Sequence, residues 1–119
     1  WNGVYINAHK FAQLSDRLDL LLLEQDRLPS SVRRSVMVGT LFARDEAELD
    51  SRLEMIAARR DRHYTAAELR DSGMIVGAGQ AFRDQLAAYE AAGVQRIMLQ
   101  WLDLDDLDGL AEVARLALL

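Results

Sequence analysis

The 119-residue sequence contains no cysteine and only one proline, and it has no long hydrophobic run. The absence of cysteine excludes disulfides, thiolate catalysis and cysteine metal sites, and it leaves the redox compartment open. No apolar run reaches the roughly 18 residues that a membrane helix needs, and no signal peptide is visible. We therefore expect a cytoplasmic protein that has no membrane partner.

The chain has fewer basic than acidic residues, 14 against 19, so its formal net charge is −5. Nonspecific nucleic-acid binding needs a basic surface, so we expect no nucleic-acid partner. Anionic ligands stay open, since backbone N–H groups and a few arginines can hold a phosphate inside an acidic protein. The two histidines, His9 and His63, lie in polar segments without the spacing of a ligand pair, so we expect no metal site.

Half of the residues are hydrophobic and 28% are charged, which is typical of one globular domain with a real core. The first residue is Trp1, and the residues that follow it already have the pattern of a strand. A natural domain seldom begins within a strand. We therefore expect that the chain is a piece of a longer protein.

Three apolar segments, residues 1–6, 35–42 and 94–99, have the composition of buried strands. Helical patterns follow each of them, over residues 11–26, about 45–60 and 110–119. The helix after the first strand should end before Leu28, because the residue preceding Pro29 is pushed away from helical geometry. We expect an α/β fold in which residues 1–119 form a single unit of three βα units with parallel strands.

The region before the third strand carries further local signals. Residues 61–74, approximately, form a helical insert in which Thr65 is the N-cap and Glu68 its capping-box partner. Residues 75–79 predict a tight glycine turn, and a helix with an apolar stripe follows it. Gly93 is placed to end that helix in the left-handed conformation. The strand at 94–99 is expected to be covered on both faces, and Asp106 competes with Asp105 to cap the last helix.

Three segments carry a resemblance to a known family. Trp1-Asn2 looks like the end of the Ala-Asp-Gly-Trp-Asn segment of luciferase-like monooxygenases, and Ile75-Val76-Gly77 resembles their Val-Gly-Thr-Pro-Glu element. Residues 93–110 resemble the closing strand and last helix of a subgroup of deazaflavin (coenzyme F-420)-dependent oxidoreductases. The family fold is a (β/α)8 TIM barrel, which needs about 250 residues. The resemblance therefore implies the last three units of such a barrel, an incomplete one.

The resemblance also implies an activity. The parent protein would be an enzyme, an oxidoreductase or monooxygenase that uses coenzyme F-420 or FMN for hydride transfer with a small organic substrate. We expect the isolated chain to be inactive, because the first five strands are missing. A second interpretation is a non-catalytic α/β module that forms a homo-oligomer, since exposed strand edges tend to pair.

Candidate cofactor residues lie at two places. Gly77, Ala78 and Gly79 precede a helix whose free N–H groups would help to hold a cofactor phosphate; the alternative is a simple tight turn. In this chain Ala78-Gly79-Gln80 stands where the family has Thr-Pro-Glu. The change removes a hydroxyl N-cap and a proline that favour helix initiation.

The other candidates lie where strands end, which in a barrel is the mouth of the site. Gln100 is predicted to hydrogen-bond the cofactor ring or the substrate, and Trp101 either packs near that ring or caps the core. Thr40 ends the second strand and is a further cofactor candidate. Tyr5 and Asn7 end the first strand and are candidates for the substrate rim.

Overall fold

Strands and helices alternate along the chain in the computed structural model, which describes residues 1–118. The strands are β1 (Asn2–Val4), β2 (Ser35–Ala43), β3 (Met74–Ala78) and β4 (Arg96–Gln100). The helices are α1 (Ala8–Glu24), α2 (Glu46–Arg60), α3 (Ala66–Asp71), α4 (Gly79–Ala91) and α5 (Leu107–Leu118), and a 3₁₀ helix spans Pro29–Ser31. No helix in residues 1–118 is long and apolar enough to cross a membrane.

All strand pairs are parallel, and β2 lies at the centre of the sheet. On one edge of β2, β4 pairs with Ser35–Gly39. The other edge pairs first with β1, along Ser35–Met37, and then with β3, along Gly39–Ala43. Strands β1 and β3 therefore lie end to end, and the backbone of Gly73 meets that of Tyr5 between them.

One face of the sheet is covered by α1, α4 and α5, the helices that follow β1, β3 and β4. Its core contains side chains from β2 together with aromatic residues of α1 and α4 and Val113 of α5. Helix α4 contacts both α1 and α5, so it lies between them. The fully buried side chains of this core include Phe11, Val36, Val38, Phe42 and Phe82.

The second face is covered over only part of its length. Helices α2 and α3 pack on its carboxyl-terminal part, around Ala43, Leu49, Leu69 and Val76. Within residues 1–118 no helix packs on the remainder, where Val4 is 49% and Met98 39% exposed. We call this uncovered part the open face. By strand alternation it carries Asn2, Val4, Ser35, Met37, Arg96, Met98 and Gln100.

The fold confirms the expectation of an α/β chain with parallel strands, but it contains a fourth strand. Residues 75–79 were predicted as a glycine turn, and this prediction is wrong. Gly77 is extended and pairs with Phe42, because a glycine preceded by apolar Ile75 and Val76 fits a buried strand. The insert is correspondingly shorter, since Met74 belongs to β3.

The prediction that the last strand is covered on both faces is also wrong. Ile97 and Leu99 of β4 pack on the helix-covered core, whereas Arg96 and Met98 are exposed on the open face. The apolar composition of residues 94–99 therefore reflects burial of one face only, since Met98 lies on the uncovered face.

Helix α1 begins earlier than its apolar stripe suggests. The side chain of Asn7 accepts a hydrogen bond from the Lys10 N–H at 2.9 Å and caps the helix, which ends at Glu24, well before Leu28. The polar side chains of Ser15, which is buried, and Asp19, which is half-buried, are turned towards Arg34, whose buried guanidinium donates to both at 2.5 Å.

Candidate functional site

Two of the predicted site residues meet on the open face. The Tyr5 hydroxyl donates a hydrogen bond to Oε1 of Gln100, and Nε2 of Gln100 lies 3.5 Å from the Sδ atom of Met37. The Tyr5 ring passes over Gly39 of β2, where an added Cβ would lie 3.1 Å from Cε1 of Tyr5. Glycine at position 39 therefore leaves the room in which the phenol spans the sheet from β1 to β4. We call these two residues the Tyr5–Gln100 pair.

The backbone of Tyr5 has an unusual conformation. Its φ of 50° is left-handed, which few residues other than glycine adopt. The Tyr5 N–H donates to the Met37 carbonyl at 2.9 Å, so the ladder between β1 and β2 extends through this residue. Strained backbone conformations persist where the surroundings hold them, and they cluster at functional sites.

The surroundings of the pair are apolar and rich in methionine. Met37 and Met98 lie side by side on the open face, and the Met74 side chain contacts Gly39 from the other end. Thioethers are polarisable and adapt their shape to flat ligands. A phenol and a primary amide above such a floor supply hydrogen-bond donors and acceptors. The arrangement is suited to binding a planar molecule that has a polar edge.

Thr40 and Trp101 lie on the opposite face of the sheet from this pair. They follow Gly39 and Gln100, which are partners in the ladder, and both face the helix-covered core. The Oγ1 atom of Thr40 and the Nε1 atom of Trp101 are buried, and neither has a hydrogen-bond partner within residues 1–118. The structure thus places these two candidates beside each other but away from the Tyr5–Gln100 pair.

The glycine segment 77–79 lies farther along the sheet. Gly77 and Ala78 are in β3, opposite Phe42 and Ala43, and Gly79 begins α4 with a φ of 44°. No side chain caps α4. Gly77 lies beside β2 three positions beyond the partner of Gln100, which is roughly 10 Å along the strand, and on the other edge. The two groups of predicted cofactor residues are therefore not in contact.

Asn7 has a local structural part. Its side chain is the N-cap of α1, and the residue is half-buried between β1 and that helix. This capping contact does not bring Asn7 to the Tyr5–Gln100 pair.

A cluster of charged residues at the carboxyl-terminal end of β2 was not predicted. Asp106 accepts hydrogen bonds from the Gly109 N–H at 2.9 Å, from Arg44 at 2.8 Å and from Arg52 at 2.5 Å. Both arginines also bind Glu48. The spacing of Arg44, Glu48 and Arg52 is visible in the sequence, but their link to an aspartate more than fifty residues away is not. We call Arg44, Glu48, Arg52 and Asp106 the latch.

The latch keeps its carboxylates charged. The Gly109 N–H, followed by the two arginines, lowers the pKa of Asp106 to about 2, against the opposing effect of burial. Burial also opposes the shift at Glu48, but hydrogen bonds from the Arg44 backbone and the Arg52 guanidinium lower the pKa of its carboxyl. Because both guanidinium groups already bind carboxylates, the latch fastens the loop before α5 to α2 and offers little positive charge to a phosphate.

Two clefts lie outside the predicted site. One of about 500 Å³ lies between α2 and α3, and one of about 230 Å³ lies beside Arg34. None of the sequence-predicted site residues lines either cleft. In the part of the chain that the structure describes, no group of three His, Cys, Asp or Glu side chains is arranged to hold a metal ion.

Comparison with protein-family models finds no match to this chain, and comparison with curated proteins finds none either.

Proposed function

We propose that the chain is the carboxyl-terminal part of a flavin- or deazaflavin-dependent oxidoreductase of the luciferase-like monooxygenase class. The parent enzyme would transfer a hydride between its cofactor, F-420 or FMN, and a small organic substrate. The observation that carries the proposal is the Tyr5–Gln100 pair on an open sheet face whose opposite face is lined by helices.

The arrangement of the layers supports this proposal. In a (β/α)8 barrel the helices form an outer ring and the inner sheet face points towards the barrel axis. Here β1, β2 and β4 are adjacent and parallel, and α4 lies between α1 and α5 on one side. The open face then corresponds to the interior of the barrel. Helices α2 and α3, on the carboxyl-terminal part of the same face, would cover part of its mouth.

The strand edges support it as well. The outward N–H and C=O groups of Val76 in β3 bind the Gln85 side chain, and its carbonyl also accepts from Arg70. This edge is closed by side chains, as natural edge strands commonly are. Within residues 1–118 the outer edges of β1 and β4 have no such cover. They are suited to receive the neighbouring strands of a larger sheet.

The residues present fit a ring cofactor at one place. The chemistry of hydride transfer belongs to the cofactor, and the protein supplies binding and orientation. The Tyr5 hydroxyl and the Gln100 amide would hold the polar edge of a ring, and Met37 would contact its plane. Trp101 faces the helix-covered core, so it does not fit the role of a ring contact.

The phosphate of such a cofactor would lie at the start of α4. Helix N-termini attract anions through free N–H groups and the helix dipole. No side chain caps α4, and the side chain of Gln80 binds Asp84 at 2.6 Å instead of the helix end. Gly79 has open space around it, since a Cβ there would meet no atom within 4 Å.

Cofactor binding tests the proposal directly. We expect FMN or F-420 fluorescence to be quenched on titration with the chain, and we expect Gln100→Leu and Tyr5→Phe to weaken binding at least threefold. Gln13→Leu, on the exposed side of α1, is the matched control and should bind like the unaltered chain. Equal quenching by all four proteins would reject the site, and no quenching by any would reject the cofactor.

The uncovered edges favour one alternative function. A module that works by self-association would pair β1 or β4 with a strand of a second copy, and the resulting homo-oligomer would bury these strand edges. This alternative requires no cofactor, so the same titration separates the two proposals.

A further inference from the structure

We infer that Gly73 is a positioning residue for the Tyr5–Gln100 pair: its contact with the Tyr5 backbone fixes the phenol and joins it to the helical insert that contains α3. What the pair binds rests on the proposed function. The contact between the two backbones does not.

The contact is close and involves backbone atoms. A Cβ added at Gly73 would lie 2.1 Å from the Tyr5 carbonyl carbon, 2.3 Å from its oxygen and 2.5 Å from the nitrogen of Ile6. These atoms are unable to rotate away as a side chain would. The φ of Gly73 is 87°, which strains any residue with a Cβ. Two independent reasons, the lack of space for a Cβ and the positive φ, therefore restrict position 73 to glycine.

Tyr5 depends on such support because of its own conformation. A left-handed residue other than glycine persists only when its surroundings hold it. Two contacts hold Tyr5 itself, the ladder bond to Met37 and the Gly73 backbone, and a third holds the next residue, since the Tyr89 hydroxyl donates to the Ile6 carbonyl at 2.9 Å. Of these three, only Gly73 belongs to the segment that connects α3 to β3.

That segment is firmly attached to the insert. The Gly73 N–H donates to the Arg70 carbonyl at 3.0 Å, and the Arg70 Nε donates to the Val76 carbonyl at 2.8 Å. Leu69 of α3 is buried against β3. A displacement of α3 is therefore transmitted to Gly73, then to the Tyr5 backbone, and so to the phenol that binds Gln100. In the same way, a ligand held by the phenol would stabilise the position of the insert.

A pair of glycines allows a matched test. Gly93 has a φ of 89°, almost that of Gly73, but a Cβ there would meet nothing within 4 Å. Asparagine is the L residue that best tolerates such a conformation apart from glycine. Gly73→Asn and Gly93→Asn thus carry a similar backbone cost, and only the first pushes on Tyr5.

The readout is the side-chain amide of Gln100 in a two-dimensional NMR spectrum of the full chain without ligand. We expect Tyr5→Phe and Gly73→Asn to shift its resonances, and we expect Gly93→Asn to leave them in place. An unshifted Gln100 amide in folded Gly73→Asn, or equal shifts in both asparagine variants, would overturn the inference.

A reciprocal measurement covers the case in which Gly73→Asn does not fold. In Tyr5→Phe, which keeps both glycines, we expect the backbone amide of Gly73 to shift and that of Gly93 to stay. Two unshifted amides would overturn the inference. If coupling is observed but FMN and F-420 do not bind, the inference stands and the proposed function fails.

Discussion

Arg34 is a single residue that joins four segments of the chain. Its guanidinium donates to the Ser15 carbonyl and hydroxyl, to Asp19 and to the Pro29 carbonyl, and its backbone N–H donates to Gln95 at 2.8 Å. Buried hydrogen bonds each contribute about 1 kcal/mol, and more where one partner is charged. The residue thereby fastens α1 and the 3₁₀ helix to the start of β2.

We expect Arg34→Ala to lower the free energy of unfolding by about 2–3 kcal/mol, because Ser15 and Asp19 lose a buried donor. Urea denaturation followed by circular dichroism measures the change. Arg33→Ala alters the exposed neighbour and should change stability by less than about 0.5 kcal/mol. Similar losses in both variants would show that the buried network contributes little.

The charge of Asp106 makes the stability of the folded chain depend on pH. Its folded pKa, about 2, lies below its ordinary value of 3.8. The unfolded chain therefore binds the proton first as pH falls, so the stabilisation is complete above pH 4 and disappears towards pH 2. We expect Asp106→Asn to be less stable than the unaltered chain at pH 6, with the difference closing between pH 4 and pH 2.

The measurement is the urea midpoint of each protein across this pH range. Asp105→Asn is the control, since Asp105 is exposed and makes no ion pair within residues 1–118. A difference for Asp106→Asn that stays constant with pH would contradict the assigned role of its charge.

Among the elements, β4 has two chemically different edges. The Met37 carbonyl accepts from the Tyr5 N–H and so points to β1, and by alternation Val36 and Val38 point to β4. Because Val36 pairs with Ile97 and Val38 with Leu99, the N–H groups of the flanking residues Arg96, Met98 and Gln100 point to β2, and those of Ile97 and Leu99 point away from the sheet. Proline lacks an N–H and is tolerated only where none is needed.

We expect Met98→Pro to melt at a lower temperature than Met98→Ala, because proline removes the N–H that donates to β2, whereas both changes remove the same exposed side chain. Thermal melts followed by circular dichroism compare the two. If Met98→Pro melts as high as Met98→Ala, the assigned register of β4 is wrong.

The elements also show which features a sequence makes predictable. Thr65 caps α3, and its capping box with Glu68 is confirmed, because both partners lie within one helical turn. Gly93 ends α4 with a positive φ, and Asp106 caps α5, for the same local reason. Strand β3 was missed because Gly77 and Gly79 signal a turn as strongly as Ile75 and Val76 signal a strand.

Contacts between distant segments were harder to predict. Strand ends pointed to Tyr5 and Gln100 separately, but their contact depends on the register of β1, β2 and β4 and on the absence of a side chain at Gly39. Thr40 and Trp101 are strand-end residues too, yet parity places them on the other face. A shift of one residue along a strand therefore decides whether a strand-end side chain faces the site.

The molecule as a whole is elongated, with principal extents of 51, 32 and 22 Å. Its radius of gyration is 15.9 Å, whereas a compact domain of this length has roughly 13–14 Å. Leucines of α1 lie exposed at 48–63% on the outer helix layer, at Leu20, Leu21 and Leu23. This extended shape fits one segment of a larger closed architecture.

We expect the chain to associate with itself as concentration rises, because both outer strands and the open face are uncovered. Analytical ultracentrifugation from 5 to 200 μM, chosen as ~100-fold dilution on the micromolar scale of transient association, would show a rising sedimentation coefficient. Met98→Lys, which adds a charge on the open face beside the β4 edge, should reduce it. A monomer at every concentration would reject the self-association alternative.

Because only one edge of β4 is paired, successive residues along the strand differ in the protection of their backbone amides. In deuterated water, the amides of Arg96, Met98 and Gln100 are held by β2 and should retain their protons. Those of Ile97 and Leu99 point to the free edge and should exchange early. A strand that docks on this edge, from a second copy or from the rest of a barrel, would protect all five residues alike. The loss of the alternation would then report closure of the sheet, whichever chain supplies the missing strand.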